Sequence, residues 1–236
     1  MDAFQSPFSL SRNWELFLRR IPSNMKPWDG PCTQKEALKA IATIGAIGGA
    51  QLSRLFVSNK AKIKRLLYQG WIHKHEMKSG KQVIPVYTLG LTGCKMFGIE
   101  DHYWVGWDVP DILKRVLFFE LYKRFREQNL SPKILPAPEP MTGTLDVRGK
   151  DYAVYVARDS VEELMLQLKW DEGLSHKRIL VVTENLNYLK PLAPFLGKLP
   201  VRAVTDWDLL EERFESMFHR WDGSGWVRDE ALQKAR

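Results

Sequence analysis

Apolar residues recur every three or four positions through residues 33–56, which is the spacing of amphipathic helices. A first helix is predicted to begin at Thr33, which precedes Glu36 at the spacing of a capping box, and to end at Gly45. A second, shorter helix follows over 49–56. The first regular segment of the chain is therefore helical.

A third helix is predicted over 59–69, between Ser58, a favourable N-cap residue, and Gly70, a typical C-terminal glycine. Its apolar residues share one face, and four cations remain outside: Lys60, Lys62, Lys64 and Arg65. The helix therefore presents positive charge to solvent.

After Gly70 apolar and polar residues alternate, which predicts strands over 71–77 and 82–89 joined by a turn at 78–81. Three helices followed by a β-hairpin is the order of a winged helix-turn-helix domain. In that arrangement the third helix enters the major groove of DNA, and the hairpin, called the wing, reaches the flanking backbone. We expect this domain to cover residues 33–98.

Residues 1–32 precede this domain and are interrupted repeatedly by proline and glycine, which predicts an irregular N-terminal arm. One short helix is predicted within the arm, over 14–21. Arg19 and Arg20 in that helix are candidates for a phosphate contact.

A long helix is predicted over 109–128, and it is apolar on more than one face. Such a helix is either buried between two domains of one chain or paired with its copy in a homodimer. Trp104 and Trp107, expected in an exposed loop before the helix, would add to a dimer surface.

Four prolines within 131–140 mark a domain boundary. Beyond it the predicted elements are strands over 142–147, 152–157, 178–183 and 201–204, and helices over 160–173, 185–196 and 206–218. This order predicts a small α/β domain over 131–220. The fold class is therefore α+β, with residues 99–130 as linker and long helix and residues 221–236 as a C-terminal tail.

The composition, 44% apolar and 27% charged residues, is typical of a globular protein. No stretch is long and apolar enough for a membrane span, and the first residues lack the layout of a secretory signal, so we expect a cytoplasmic protein without membrane partners. Cys32 and Cys94 are too few for a disulfide framework or a cysteine-based zinc site.

The net charge of +7 is concentrated in one part of the chain. The first 100 residues carry 15 Lys and Arg against 6 Asp and Glu, and residues 51–82 carry eight cations and a single acid, Glu76. This concentration indicates a phosphate-binding surface, and the alternative is a solvated basic helix without a partner.

Three stretches resemble the replication-relaxation family of plasmid and mobile-element proteins: GAQLSRLF at 49–56, RLLYQGWI at 65–72 and YTLGLTG at 87–93. The resemblance extends to FELY at 119–122 in the long helix and, more loosely, to the C-terminal strands. It implies a winged-helix domain followed by an α/β domain similar to restriction-type nucleases.

A nuclease of that type needs an acid near the end of one strand and Asp/Glu-x-Lys on the next, so that two carboxylates hold a divalent metal ion. Asp146 could be the first acid, but the strand over 152–157 carries neither a carboxylate nor a lysine. Glu162 and Glu163 on the following helix are possible substitutes. A degenerate scaffold without catalytic residues, metal or cofactor is the favoured interpretation.

His73 and His75 lie two positions apart on one face of a strand, yet no third metal ligand has a suitable spacing. We therefore expect a DNA-facing or solvated pair. Phosphate-binding loops, nucleophile elbows and zinc-protease motifs are missing from the sequence.

The sequence thus predicts a non-enzymatic protein that binds double-stranded DNA and regulates replication initiation or transcription of a plasmid, phage or mobile element. The two alternatives are a metal-dependent nuclease and a winged-helix adaptor that binds protein. Asn59 and Lys60 are the candidates for base contact. The remaining candidate DNA-binding residues are Gln51, Arg54, Ser58, Lys62, Lys64, Arg65, Lys74, Lys78 and Lys81.

Overall fold

The computed structural model describes residues 6–22, 26–158, 160–170, 178–197 and 199–229. They form two compact units: the first runs from Leu10 to Phe119, and the second comprises the described residues from Glu120 onward together with those before Leu10. Each unit contains helices and a β-sheet, so the mixed α+β class is confirmed. Within the described part of the chain, no helix is long and apolar enough to cross a membrane.

The helices of the first unit follow the predicted order. They are α1 (Lys35–Ile44), α2 (Gly49–Leu55), α3 (Lys60–Tyr68) and α4 (Leu91–Phe97), and α5 (Val109–Glu127) begins in this unit. The capping box predicted at Thr33 is wrong, because Gln34 is the N-cap of α1 and its side chain makes no capping hydrogen bond. Burial of Leu38 and Ile41 on one face stabilises α1 instead.

The first unit has a four-stranded antiparallel sheet in the order β1-β3-β4-β2. Its strands are β1 (Glu15–Phe17), β2 (Ile47–Gly48), β3 (Ile72–Ser79) and β4 (Gln82–Leu89). β3 and β4 form the predicted hairpin. Ser79 pairs with Gln82, so only Gly80 and Lys81 form the turn, and Gly80 has the positive φ of 54° that such a tight turn requires.

β1 replaces the helix predicted over 14–21, which is therefore wrong. Leu16 lies opposite Met77 of β3, and the Lys78 ammonium group lies 4.8 Å from the centre of the Phe17 ring. β1 is an edge strand of the sheet, and the backbone groups on its inner side pair with β3. A strand this short carries no periodicity of its own in the sequence.

The boundary between the two units falls within α5, between Phe119 and Glu120. In the first unit the Phe119 ring packs edge-on against Phe56, with ring centres 6.3 Å apart. In the second unit Phe125 packs against Phe214 at 5.1 Å. The apolar faces of α5 are thus covered within a single chain, which removes the surface that the sequence offered to a homodimer.

The second unit has a seven-stranded sheet in the order β11-β10-β9-β8-β7-β6-β5. Its strands are β5 (Lys133–Leu135), β6 (Gly143–Val147), β7 (Lys150–Ala157), β8 (Arg178–Thr183), β9 (Val201–Thr205), β10 (His219–Trp221) and β11 (Trp226–Arg228). β7, β8 and β9 are parallel to one another, and the remaining pairs are antiparallel. A core on one face of this sheet includes Tyr155, Val181 and Ala203.

The helices of the second unit are shorter than the sequence predicts. They are α6 (Glu162–Trp170), α7 (Ala193–Leu196) and α8 (Asp206–Glu211). The helix predicted over 185–196 is mostly a 3-10 helix, Leu186–Leu192, which contains Pro191, a residue that has no N–H to donate. The predicted end of α6 at 173 lies outside the described residues, as do positions 1–5 and 23–25 of the arm and 230–236 of the tail.

Candidate nucleic-acid interface

The exposed side of α3 carries four cations. Lys60, Lys62, Lys64 and Arg65 are all exposed, whereas Ile63 and Leu66 are buried on the opposite side. None of the four cations forms an ion pair with a described residue. This helix therefore presents an uncompensated basic surface to solvent.

Tyr68, the last residue of α3, adjoins this surface and is 84% exposed. Lys64 and Arg65 precede Tyr68 by four and three positions, so these two cations lie on the same helix face as the Tyr68 ring. A large aromatic ring in contact with water on a basic helix is a feature that the sequence analysis missed. Its signal was present, since Tyr68 interrupts the apolar pattern of the helix.

Asn59, rather than the predicted Ser58, caps α3. The side-chain Oδ1 of Asn59 accepts a hydrogen bond of 2.8 Å from the backbone N–H of Ala61. Both Ser58 and Asn59 are exposed. The capping bond uses one of the two lone pairs of the Asn59 amide oxygen, so a contact from this residue to a base would use the second lone pair or the amide N–H groups.

Of the two candidates on α2, the structure places only Arg54 at the surface. Gln51 is 5% exposed, and its side-chain amide lies against the backbone of Gly48: a Cβ added at Gly48 would lie 2.2 Å from Gln51 Oε1. A residue buried in this way is not positioned to reach a phosphate. Gln51 is therefore removed from the candidate interface.

The hairpin contributes three candidate lysines in two different settings. Lys74 and Lys78 are half-buried and surround the carboxylate of Glu76, with N–O distances of 3.0 and 3.4 Å, and Arg19 joins them at 3.0 Å. The hydrogen bond from Lys74 is the main reason that the pKa of Glu76 falls to about 2. Lys81, in contrast, is exposed at the turn.

His73 and His75 do not face DNA or solvent as a pair, so that prediction is wrong. Nδ1 of His75 accepts a hydrogen bond of 3.0 Å from the backbone N–H of Arg19, and Nε2 lies 2.9 Å from Thr88 Oγ1. Nε2 of His73 lies 2.8 Å from the carbonyl oxygen of Arg19. Both rings pack against Trp104, which is 1% exposed and therefore not in an exposed loop.

A small cavity of about 240 Å³ adjoins one side of α3. Lys62 and Arg65 line it together with Gln69, a buried polar residue at the C-cap of the helix. Two cations and an amide around a cavity of this size suit a tetrahedral oxyanion such as a backbone phosphate.

The acids considered for a nuclease do not converge. Oδ1 of Asp146 accepts a hydrogen bond of 2.8 Å from the backbone N–H of Gly149, a turn contact, and Glu162 and Glu163 are exposed at the start of α6. Among the described residues no group of three or more His, Cys, Asp or Glu side chains could hold a metal ion. Among the buried carboxylates of this unit is Asp206, which pairs with Arg158 and accepts a hydrogen bond of 2.5 Å from Ser6.

Comparisons of the chain with protein-family models, with curated proteins and with solved structures gave no match.

Proposed function

We propose that this protein binds double-stranded DNA through its first unit, acting as a winged helix-turn-helix domain with α3 as the recognition helix and the β3–β4 hairpin as the wing. The single observation that carries the proposal is the exposed face of α3, where four cations have no acidic partner among the described residues. An ordered helix with uncompensated positive charge attracts a polyanion such as the DNA backbone.

An α-helix fits the major groove of B-DNA, which is about 12 Å wide. With the Tyr68 face of α3 in the groove, Lys64 would approach base edges, and Asn59 and Lys60 at the N-terminal end of α3 stay the candidates for base contact. Arg65 lines the small cavity and would contact a backbone phosphate. Lys62 lies at the side of this face and would contact the backbone together with the small cavity. The arrangement divides base contact from phosphate contact along one helix.

In this proposal only one of the three candidate lysines of the hairpin is a main DNA contact. Glu76 offsets part of the charge of Lys74 and Lys78, so Lys81 at the turn is the main candidate for a contact to the flanking backbone. Arg54 on α2 is the corresponding candidate on the other side of α3.

In this proposal the protein is a cytoplasmic, non-enzymatic regulator of replication initiation or transcription in a plasmid, phage or mobile element. The second unit would be an α/β scaffold similar to restriction-type nucleases, as the resemblance to the replication-relaxation family implies. Because α5 is covered within the chain, a homodimer would need a different surface.

Fluorescence anisotropy of a labelled duplex from the upstream region of its own gene, at two salt concentrations, tests the proposal. The variant with Lys60, Lys62, Lys64 and Arg65 all replaced by Ala should bind more weakly, and its salt slope should fall by about 0.9 for each phosphate that is no longer neutralised. A matched control replaces four exposed cations of the second unit, Lys133, Arg148, Lys150 and Lys190, and so removes the same charge. Equal weakening in the two variants would show that net charge alone, rather than α3, carries the binding.

A further inference from the structure

A cleft of about 740 Å³ opens in the second unit at the edge where β8 and β9 begin. The polar, charged and aromatic residues that line it are Tyr152, Arg178, Arg202, Arg220, Trp221 and Asp229. Its volume lies in the range typical of small-molecule sites, about 300–1,000 Å³. Neither the proposed DNA contact nor the nuclease hypothesis makes use of it.

The three arginines lie on one face of the sheet. Strand pairing places Arg202 directly opposite Arg220, and Leu180, two positions after Arg178, directly opposite Arg202. Since side chains alternate along a strand, all three arginines point away from the face that carries Val181 and Ala203 in the core. Guanidinium groups from three adjacent strands therefore line one continuous surface.

Among the described residues, one of these arginines forms a close ion pair with a carboxylate, and the charge of Arg220 also acts on Asp222. Nε of Arg202 donates a hydrogen bond of 2.5 Å to Oδ2 of Asp229, which is 2% exposed, so a buried acid holds this guanidinium in place. Arg178 lies over the Tyr152 ring at 5.9 Å, and Arg220 is exposed. Arg202 and Arg220 are like charges directly opposite each other on neighbouring strands, which is destabilising, and Asp229 offsets this charge at Arg202. A bound anion would offset the charge that remains.

The other wall of the cleft is apolar. It is formed by Leu196, Leu199, Pro200 and Trp221, beyond the starts of β8 and β9. Leu196, Leu199 and Trp221 pack on the other side of the sheet with the core that includes Val181 and Ala203, so the cleft passes around the strand ends. Simple inorganic anions would leave this wall unused. A ligand that fills both sides carries oxyanions at one end and a planar, largely apolar group at the other.

We propose that this cleft binds a nucleoside phosphate, with its phosphates at Arg178, Arg202 and Arg220 and its base against Pro200 and Trp221. Arginine favours phosphate because its planar donors bind two oxygens at once. The same chemical group occurs in a free nucleotide and at the 5′-phosphorylated end of a DNA strand, so the test includes both sources.

Isothermal titration calorimetry of the full chain with dATP, pyrophosphate and a 5′-phosphorylated trinucleotide tests this site. The double variant R178A/R220A should weaken binding of dATP or of the trinucleotide by at least about tenfold, because removing one charge-assisted hydrogen bond has about that effect. Arg202 stays unchanged, since its removal would also break the hydrogen bond to the buried Asp229. The control Arg148→Ala removes an exposed arginine outside the cleft and should bind as the wild type does.

If dATP binds more tightly than the trinucleotide, the ligand of the cleft is a free nucleotide. If the trinucleotide binds more tightly, the ligand is the 5′-phosphorylated end of a DNA strand. Equal affinity of R178A/R220A and wild type, with both folded by circular dichroism, would overturn the proposal, as would the absence of heat with both nucleotide probes. Pyrophosphate that binds as tightly as dATP would overturn the role of the apolar wall. The α3 quadruple variant should retain nucleotide binding, which separates this site from DNA binding by the first unit.

Discussion

The backbone of Arg19 is fixed to the side chain of His75, fifty-six positions further along the chain, by a hydrogen bond of 3.0 Å from the Arg19 N–H to Nδ1. Because Nδ1 accepts, the ring is neutral and its proton lies on Nε2, where it is donated to Thr88 Oγ1. The carbonyl oxygen of the same residue, Arg19, is 2.8 Å from His73 Nε2. Two imidazoles thus fasten the segment after β1 to the hairpin.

This arrangement predicts that the protein loses stability in mild acid. Burial lowers the pKa of His75 to about 3, whereas in the unfolded chain it titrates near 6.5, so between these values only the unfolded state takes up the proton. The stabilisation is complete above pH 6.5 and declines as the pH falls. We expect the free energy of unfolding in urea to drop by about 2 kcal/mol between pH 7 and pH 5.

The variant His75→Gln provides the comparison for that measurement. It lacks the titrating group, so it should be less stable than wild type at pH 7 and should depend less on pH between 7 and 5. Burial also lowers the pKa of His73, which leaves a smaller dependence of the same sign. Parallel pH profiles for wild type and His75→Gln would contradict the assignment.

A second prediction concerns Tyr68. Because its ring is 84% exposed, replacing it by Ala removes almost no buried surface, and the melting temperature should hardly change. Duplex affinity should nevertheless fall several-fold if the Tyr68 face of α3 enters the groove. Anisotropy titrations of Tyr68→Ala decide this, and an unchanged affinity would mean that α3 presents another face to DNA.

The third prediction contrasts two lysines of the hairpin. Lys81→Ala should lower the slope of log K against log salt by up to about 0.9 with no change in melting temperature, since Lys81 is exposed at the turn. Lys78→Ala also removes the ion pair with Glu76 and the packing on the Phe17 ring, so it should lower the melting temperature as well. Identical thermal effects in the two variants would contradict the separation of roles.

The fourth prediction concerns the ion pair between Arg158 and Asp206, whose side chains are both fully buried. Arg158→Met leaves the carboxylate without its cation and should destabilise the second unit by about 3–5 kcal/mol in a denaturant titration. The double variant Arg158→Met/Asp206→Leu removes both charges and should be more stable than Arg158→Met alone. If the double variant is less stable than the single one, the two side chains stabilise the second unit through packing around Asp206 rather than through charge pairing.

The sequence predicts those parts of the fold that repeat a pattern over several turns or alternations. The periodic helices α1, α2 and α3 and the alternating strands β3 and β4 were found for this reason. β1 and the β10–β11 hairpin were missed, because three residues carry no measurable period and their stability comes from strand partners.

The residues of the candidate site also fall into two groups, those whose exposure follows from local spacing and those whose burial depends on tertiary contacts. Helical spacing correctly places Lys60, Lys62, Lys64 and Arg65 outside, since the helix itself determines which side is apolar. Burial of residues such as His75, which lies beneath Trp104, depends on contacts between distant elements. Nothing in the local sequence distinguishes such residues from exposed ones.

Ser6 belongs to the second unit and donates its hydroxyl to Asp206, although all of the first unit follows it in the chain. In sequence, the first unit is therefore an insertion within the second. A fragment that begins at Glu120 would lack the hydroxyl bound to Asp206, and one that ends at residue 98 would lack the Phe119 ring that covers Phe56. Dissection of this protein into independently folding pieces requires that the first few residues be rejoined to the C-terminal part, as in a circular permutant.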